Sequence, residues 1–336
     1  MSTDETLARA YRRLLFAYPR RYRRDREREL IDTYLEAGSD RRRPSAGDAA
    51  DLFLGGVRQR LRAAGLSGVV DGLPIAAVLA LATAAAISVH FLLSFESATP
   101  GSLWRVRPFT SLAGLVYVGW LLTALTAVVW PGRPARLAAA GTFGLLGAVT
   151  VVAVARPPAV SLPPFVLLPL LVLGALAIAQ PANPSWSLRL APVGAAVATL
   201  AGVAATGGPH TARLGPYLEC CDGQGPVASA LHRAAMGLLV AALAAAVWYG
   251  RRRDPRGAWA LLLLATPVVA LESMWMYDLD PFRTIAYSMV GSNPVQVGIA
   301  GLLAVACAGV LLPLLVGGLV RVARARRADV SGDVAH

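Results

Sequence analysis

Along residues 2–65, apolar positions recur every three or four residues, with arginine and acidic side chains between them, the spacing of amphipathic helices. Three helices are expected. The first opens with Ser2 and Glu5 at capping-box spacing and carries Leu7, Ala10, Tyr11, Leu14, Leu15 and Tyr18 on one face. Pro19 ends it. The second runs from about Arg21 to Ala37, with Tyr22, Leu30, Ile31, Tyr34 and Leu35 on its apolar side and Gly38 as its stop. After Arg41, Arg42, Arg43 and Pro44, Asp48 caps a third helix that carries Leu52, Phe53, Val57 and Leu61 and closes at Gly65.

From about Gly72 the pattern changes to a succession of apolar runs, at 73–95, 109–130, 136–155, 162–180, 188–206, 228–249, 257–277 and 297–320. Each is close to the roughly 20 residues that cross a bilayer. The fifth is the weakest, with Pro192 near its start and a content of Gly, Ala and Thr, and it is retained because its removal spoils the charge asymmetry below. Pro169, Pro267 and Pro313 lie inside runs and predict local kinks or broken hydrogen bonds. Gly141, Gly144 and Gly147 allow close helix contact. The expected fold is all-α, a polytopic membrane bundle of about eight transmembrane helices. Residues 1–71 form a three-helix head, 72–323 the membrane domain and 324–336 a basic, disordered tail.

Composition narrows the chemistry. The chain has 336 residues, 56% of them hydrophobic, and its formal charge of +12 comes from arginine alone, since it contains no lysine. A Walker-type phosphate loop and a Schiff-base nucleophile both need that lysine. Any driving nucleotide must therefore be hydrolysed by another subunit. The first apolar run begins near Leu73, too late for a cleaved leader, and three cysteines do not make a disulfide framework. No cofactor is implied.

Charge sets the orientation. Residues 1–71 hold 15 arginines against 11 acidic residues, a net of only +4, and Arg23, Asp25, Arg26, Glu27, Arg28, Glu29 and Asp32 interleave along one helix. This is a solvated, internally paired face, not the uncompensated surface that binds nucleic acid, and anionic lipid headgroups are the better match. With the head inside, the inner loops and their edges hold Arg133, Arg136, Arg189, Arg251, Arg252, Arg253 and Arg256, and the tail adds Arg321, Arg324, Arg326 and Arg327. Outer segments hold Arg105, Arg107, Arg156, Arg213 and Arg283 over longer stretches, together with Glu96, Glu219, Asp222, Asp278 and Asp280. The bias predicts a multi-pass cell-membrane protein with both termini cytoplasmic. Seven spans would strand the basic tail outside.

The segments Tyr11–Tyr22, Arg28–Tyr34, Asp48–Leu52 and Val57–Arg62 together resemble a helical prefix domain of the permease-prefix, PadR-associated kind. Such prefixes precede the membrane portion of permease-like and uncharacterised proteins of actinobacterial-type genomes. The resemblance covers about the first 65 residues and implies signalling or assembly, with a cytoplasmic regulator or an ATPase subunit as partner of residues 1–65. The chain departs from the best-known permease layout, which has four spans and a large extracytoplasmic domain.

Few ionisable residues fall within the runs. His90 lies five residues before the outer end of the first, His232 and Arg233 just after the outer start of the sixth, and Glu272 five residues before the outer end of the seventh. At 1.5 Å per residue all four sit about 6–8 Å below the outer boundary. Charged groups at such depth face partners or water. Arg233 is the one strong cation level with Glu272, and the two are expected to face each other, with His232 and His90 as secondary neighbours. The layer is open to three uses: an interhelical clamp, a ligand or proton site, or an enzyme site. Met274, Trp275, Met276 and Tyr277 favour a ligand site, whereas no HExxH or CxxC spacing supports a metal.

Outside the runs, Cys220 and Cys221 stand together in a loop with His210, Tyr217, Glu219 and Asp222. They could form a vicinal disulfide, cross-link subunits, bind a soft metal or do nothing special. Cys307 is a small buried hydrophobe. Asp280 can cap a short surface helix from Pro281 to Gly291, with Phe282, Ile285, Ala286 and Met289 on its apolar face. The function expected from this organisation is regulatory or signalling, with a transport component (secondary carrier or permease subunit) as the alternative. No catalytic motif indicates an enzyme.

Overall fold

The computed structural model describes residues 3–37, 44–63, 67–96, 109, 111–155, 164–205, 226–277 and 315–316. Among these the architecture is all-helical, with no strand. They fall into two compact units, one holding the described residues up to Asp71 together with Leu315 and Val316, the other beginning at Gly72.

In the first unit, α1 (Thr3–Leu14), a 3-10 turn (Leu15–Ala17), α2 (Arg20–Ala37) and α3 (Ala46–Ala63) enclose a core of Leu7, Tyr11, Leu15, Tyr18, Ile31 and Leu52. The first helix does not run on to Tyr18 as α-helix. Pro19 disfavours the helical region for the residue before it, and Tyr18 is extended (φ −83°, ψ 152°), so the last turn tightens instead. The cap of α3 also differs from expectation. Ser45, not Asp48, is the capping residue: its Oγ accepts from the Asp48 amide at 3.0 Å, while Asp48 Oδ2 accepts from the Ser45 amide at 3.1 Å. Asp48 is the acidic half of a reciprocal capping box, a role that its place three residues further on would have indicated. The Tyr11 hydroxyl donates to the same carboxylate at 3.3 Å.

Arg60 of α3 reaches back to the end of the first helix, donating to Ala17 O at 2.7 Å and Phe16 O at 2.6 Å. Gly56 makes that approach possible, since a Cβ there would lie 2.6 Å from the Ala17 Cβ. Tyr34 packs its ring on Tyr11 at 5.4 Å. Burial, then the charges of Asp51 and Asp48, push the Tyr34 phenol pKa above its ordinary 10.0. Ser2, Gly38, Arg41–Arg43 and Gly65 lie outside the described residues.

The second unit takes α4 (Ser67–Phe91) from Gly72 onward, a π-helical turn (Leu92–Glu96), α5 (Ala113–Val129), α6 (Arg133–Ala155), α7 (Pro164–Ala177), α8 (Trp186–Ala205), α9 (Pro226–Arg251) and α10 (Arg256–Tyr277). These helices stand where the first seven apolar runs were read. The eighth run and the tail lie outside the described residues apart from Leu315 and Val316, which are helical. Four segments, Gly68–Glu96, Arg133–Val152, Trp186–Ala205 and Ser229–Arg251, are long and apolar enough to cross a membrane. The run read as weakest is one of them. α5 and the Val166–Ala177 part of α7 are apolar but shorter. Pro169, Pro192 and Pro267 sit inside continuous helices.

α4 is the central helix and α8 a peripheral one: the apolar window is 72% buried in the first and 6% in the second. Around α4 the helices meet through small residues. A Cβ on Gly257 of α10 would lie 2.6 Å from Ala245 O of α9, and one on Gly72 would lie 2.7 Å from Ala260 N. Thr123 and Thr142 share a hydrogen bond of 3.0 Å between α5 and α6. The expectation for Gly141, Gly144 and Gly147 is not met. A Cβ at any of them meets nothing within 4 Å, because this stripe of α6 points away from its neighbours.

At one end of the bundle, arginines close helix termini. Arg136 donates to Gln180 O at 2.7 Å beyond α7, and Arg189 donates to Val128 O and, at 3.1 Å, to Val129 O at the end of α5. The Gln180 side chain in turn donates to Ala77 O of α4 at 2.9 Å. Exposed Trp130, Trp186 and Trp248 lie at this end, with the guanidinium of Arg189 over Trp186 and that of Arg252 over Trp248. Tryptophan and arginine in one tier are the composition of a membrane–water interface.

Candidate functional site

The opposite end of the second unit holds the polar residues. There α4, α8 and α9 part to leave a cavity of about 680 Å³. Its lining runs along α4 from Leu79 to Phe95, a rise of about 24 Å. Ala195 to Val203 of α8 and Ser229 to Ala241 of α9 supply the other walls. Because Val203 and Ser229 share a cavity with Phe95, α8 is parallel to α4 and α9 antiparallel. Most of the wall is Ala, Leu, Val, Gly and Phe, and the ionisable residues lining it are His90 and Arg233.

The residues picked out by depth separate into two pairs. His232 Nδ1 lies 2.9 Å from Glu272 Oε1 and 3.0 Å from Oε2, joining α9 to α10. Arg233, the next residue on α9, points instead into the cavity, close enough for its charge to act on the His90 imidazole. The expected Arg233–Glu272 pair is therefore corrected: the mate of Glu272 is His232. Successive residues on an α-helix point about 100° apart, so only one of these neighbours can face α10. Among the described residues Arg233 makes no ion pair. The Glu272 carboxylate is the more enclosed partner, at 19% exposure against 41% for His232. Such a pair can clamp two helices.

His90 sits at the rim of an aromatic cluster. Its ring meets Phe91 and Phe95 edge-on at 5.9 and 6.2 Å, and Phe91 packs on Tyr117 of α5 at 5.7 Å. The π-helical turn at Leu92–Glu96 widens the end of α4 and presents Ser94 as well as Phe95 to the cavity. π-helical turns are frequent at functional positions.

Glu96 was read as an outer-loop acid, and its place corrects that. It is fully buried, accepting from the Ser111 amide at 2.8 Å and from Ser111 Oγ at 2.6 Å, while Ser111 Oγ accepts from the Ala113 amide at 3.0 Å. A carboxylate bound to the start of α5 complements the helix dipole and ties two helices together beside the cavity. The sequence signal was faint: an acid directly after an apolar run, and a serine just before the next helix.

No group of three or more His, Cys, Asp and Glu side chains among the described residues could hold a metal ion. Cys220, Cys221 and the rest of their loop, Cys307, the helix read at 281–291 and the side chains of Met274 to Tyr277 lie outside the described residues. Comparison with protein-family models, curated proteins and solved structures finds no match to this chain.

Proposed function

We propose that this chain is a multi-pass regulatory or signalling protein of the cell membrane, with about eight spans and both termini cytoplasmic. In this proposal the end of the bundle carrying His90, His232, Arg233 and Glu272 faces outward and receives a ligand, while residues 1–65 bind a cytoplasmic partner. The observation that carries it is the cavity between α4, α8 and α9, which is lined by Arg233, without an ion pair among the described residues, and is flanked by the His232–Glu272 contact that joins α9 to α10. The arginine and tryptophan tier at the opposite end supports the orientation. For the head, the positions that carry the likeness to prefix modules, Tyr11, Tyr18, Ile31 and Leu52, are the core residues of three packed helices, which supports a self-standing protein-binding module.

The test is crosslinking of the full chain in native membranes, with partners on residues 1–65 identified by mass spectrometry. A cytoplasmic partner is expected, its yield changing at least about five-fold in Arg233→Gln or Glu272→Gln, the smallest usual coupling between sites. An unchanged yield removes the coupling, and no partner removes the regulatory function. A reporter fused to His336 checks the span count, since activity outside the cytoplasm is incompatible with it.

The same cavity supports a second reading, a transport component. It would require solute uptake in liposomes that Arg233→Gln abolishes while protein level and fold are kept. The polar groups lie near one end of the helices and not at the midplane expected of a carrier, which ranks this reading second.

A further inference from the structure

The cavity has the shape of an amphiphile. Arg233, His90, Ser94 and Ser229 gather at one end, and below them the walls to Leu79 and Ala241 are apolar apart from Thr83 and Thr199, whose hydroxyls donate to the backbone carbonyls of Leu79 and Ala195. The lining length of about 24 Å exceeds half the thickness of a 30 Å hydrocarbon core, so it can hold the acyl chain of a lipid from one leaflet. Its volume is within the range of small-molecule sites. The charge at its head has a definite sign. Glu272 is already held by His232, and Arg233 makes no ion pair among the described residues, which leaves a guanidinium two turns into α9 without an anion. A guanidinium in a span needs a partner, and it matches a phosphate with two parallel hydrogen bonds.

We infer that the α4–α8–α9 cavity is a binding site for an anionic phospholipid of the surrounding bilayer, with the phosphate on Arg233 beside His90 and one acyl chain lying along α4. This rests on the cavity assigned above as the ligand site and names its ligand class. α8 forms the outer wall, and its slight burial makes it the side through which a lipid enters. Gly202 and Gly237 line the passage, and at both a Cβ would meet nothing within 4 Å, so the cavity keeps its width where these helices face each other.

The experiment places the full chain in bilayers containing either a photoactivatable phosphatidylglycerol or the same probe on phosphatidylcholine, and maps the labelled peptides by mass spectrometry. The anionic probe is expected to label the peptides of residues 79–95 and 195–203 about five-fold more than the zwitterionic one, the preference conferred by one favourable charge. Arg233→Gln should bring the two probes level, and Arg233→Lys should keep part of the difference. Gly202→Leu fills the passage without touching the charge and should reduce labelling by both probes, which keeps the test informative if Arg233→Gln does not fold. Equal labelling by both probes in the native chain, labelling confined to the outer faces of the helices, or a crosslink showing that residues 297–320 of this chain fill the cavity overturns the inference. If the lipid is absent but partner yield still responds to Arg233→Gln, the regulatory function stands and the lipid does not.

Discussion

The first unit closes around tyrosine and leucine, whereas the second adds to its large side chains a run of buried alanines and close glycine contacts. In the three-helix unit the fully buried side chains are Leu7, Tyr11, Leu15 and Leu52, and the helices are held by long polar reaches such as Arg60 to Phe16 O and Tyr11 to Asp48. Around α4 the buried positions include five alanines, Ala76, Ala77, Ala80, Ala84 and Ala85, beside Leu81, Ile87 and Phe91, and neighbouring backbones nearly touch at Gly72 and Gly257. Water explains the contrast. A small unit in water gains stability by removing large apolar surfaces from solvent. A bundle in lipid gains nothing from that transfer and must rely on close contact and on hydrogen bonds between helices. With the second unit placed in lipid, as proposed, each unit uses the cohesion that its solvent leaves it.

The comparison can be broken most directly in the core of the first unit. Leu52→Ala should cost about 3 kcal/mol there, seen as faster hydrogen exchange across residues 3–63 of the full chain with the exchange of α4 to α10 unchanged. Equal acceleration in both units would mean that they do not have separate cores. Next, Gly257→Val should destabilise the bundle by about 2 kcal/mol, because its side chain would enter the backbone of α9, whereas Gly141→Val should fall within about 0.5 kcal/mol of the native chain. Thermal unfolding in detergent measures both, and equal losses would defeat the assignment of close contact to Gly257. Arg189→Lys keeps the positive charge at the end of the bundle but loses the forked reach to Val128 and Val129. A loss of about 1.5 kcal/mol with unchanged topology would separate capping from charge bias.

Two smaller effects sharpen the picture of the first unit. Ser45→Ala should cost about 1 kcal/mol and free the start of α3 to exchange, and Asp48→Asn should have a smaller effect of the same kind. Tyr34 gives a pH signature. Its folded pKa is raised, so the folded state keeps the phenol protonated where the unfolded chain has lost the proton. Stability from this group is complete below pH 10 and declines as pH rises beyond it. Tyr34→Phe should flatten that decline in an alkaline unfolding series, and an identical slope in both proteins would exclude Tyr34 as its source.

Periodicity made the element types legible, and apolar length made the membrane-compatible helices so, including α8, which composition alone had marked as doubtful. What it could not supply was rotation about the helix axis. Depth along α9 placed His232 and Arg233 at the level of Glu272, but which of two adjacent residues turns toward α10 depends on an angle of about 100° that spacing does not record. The same blindness applies to Gly141, Gly144 and Gly147, whose small side chains are suited to contact but point away from it. Glu96 was hidden for a different reason. An acid after an apolar run looks like a loop residue unless one knows that the helix turns once more and that Ser111 comes back to meet it.

The latch between Arg189 and Val129 spans 60 positions of chain. During synthesis, α5, α6 and α7 must all leave the ribosome before the group that seals the end of α5 exists. Until then the carbonyls of Val128 and Val129 lack the guanidinium that caps them in the finished fold. The end of α5 is therefore completed late, by a residue at the start of α8.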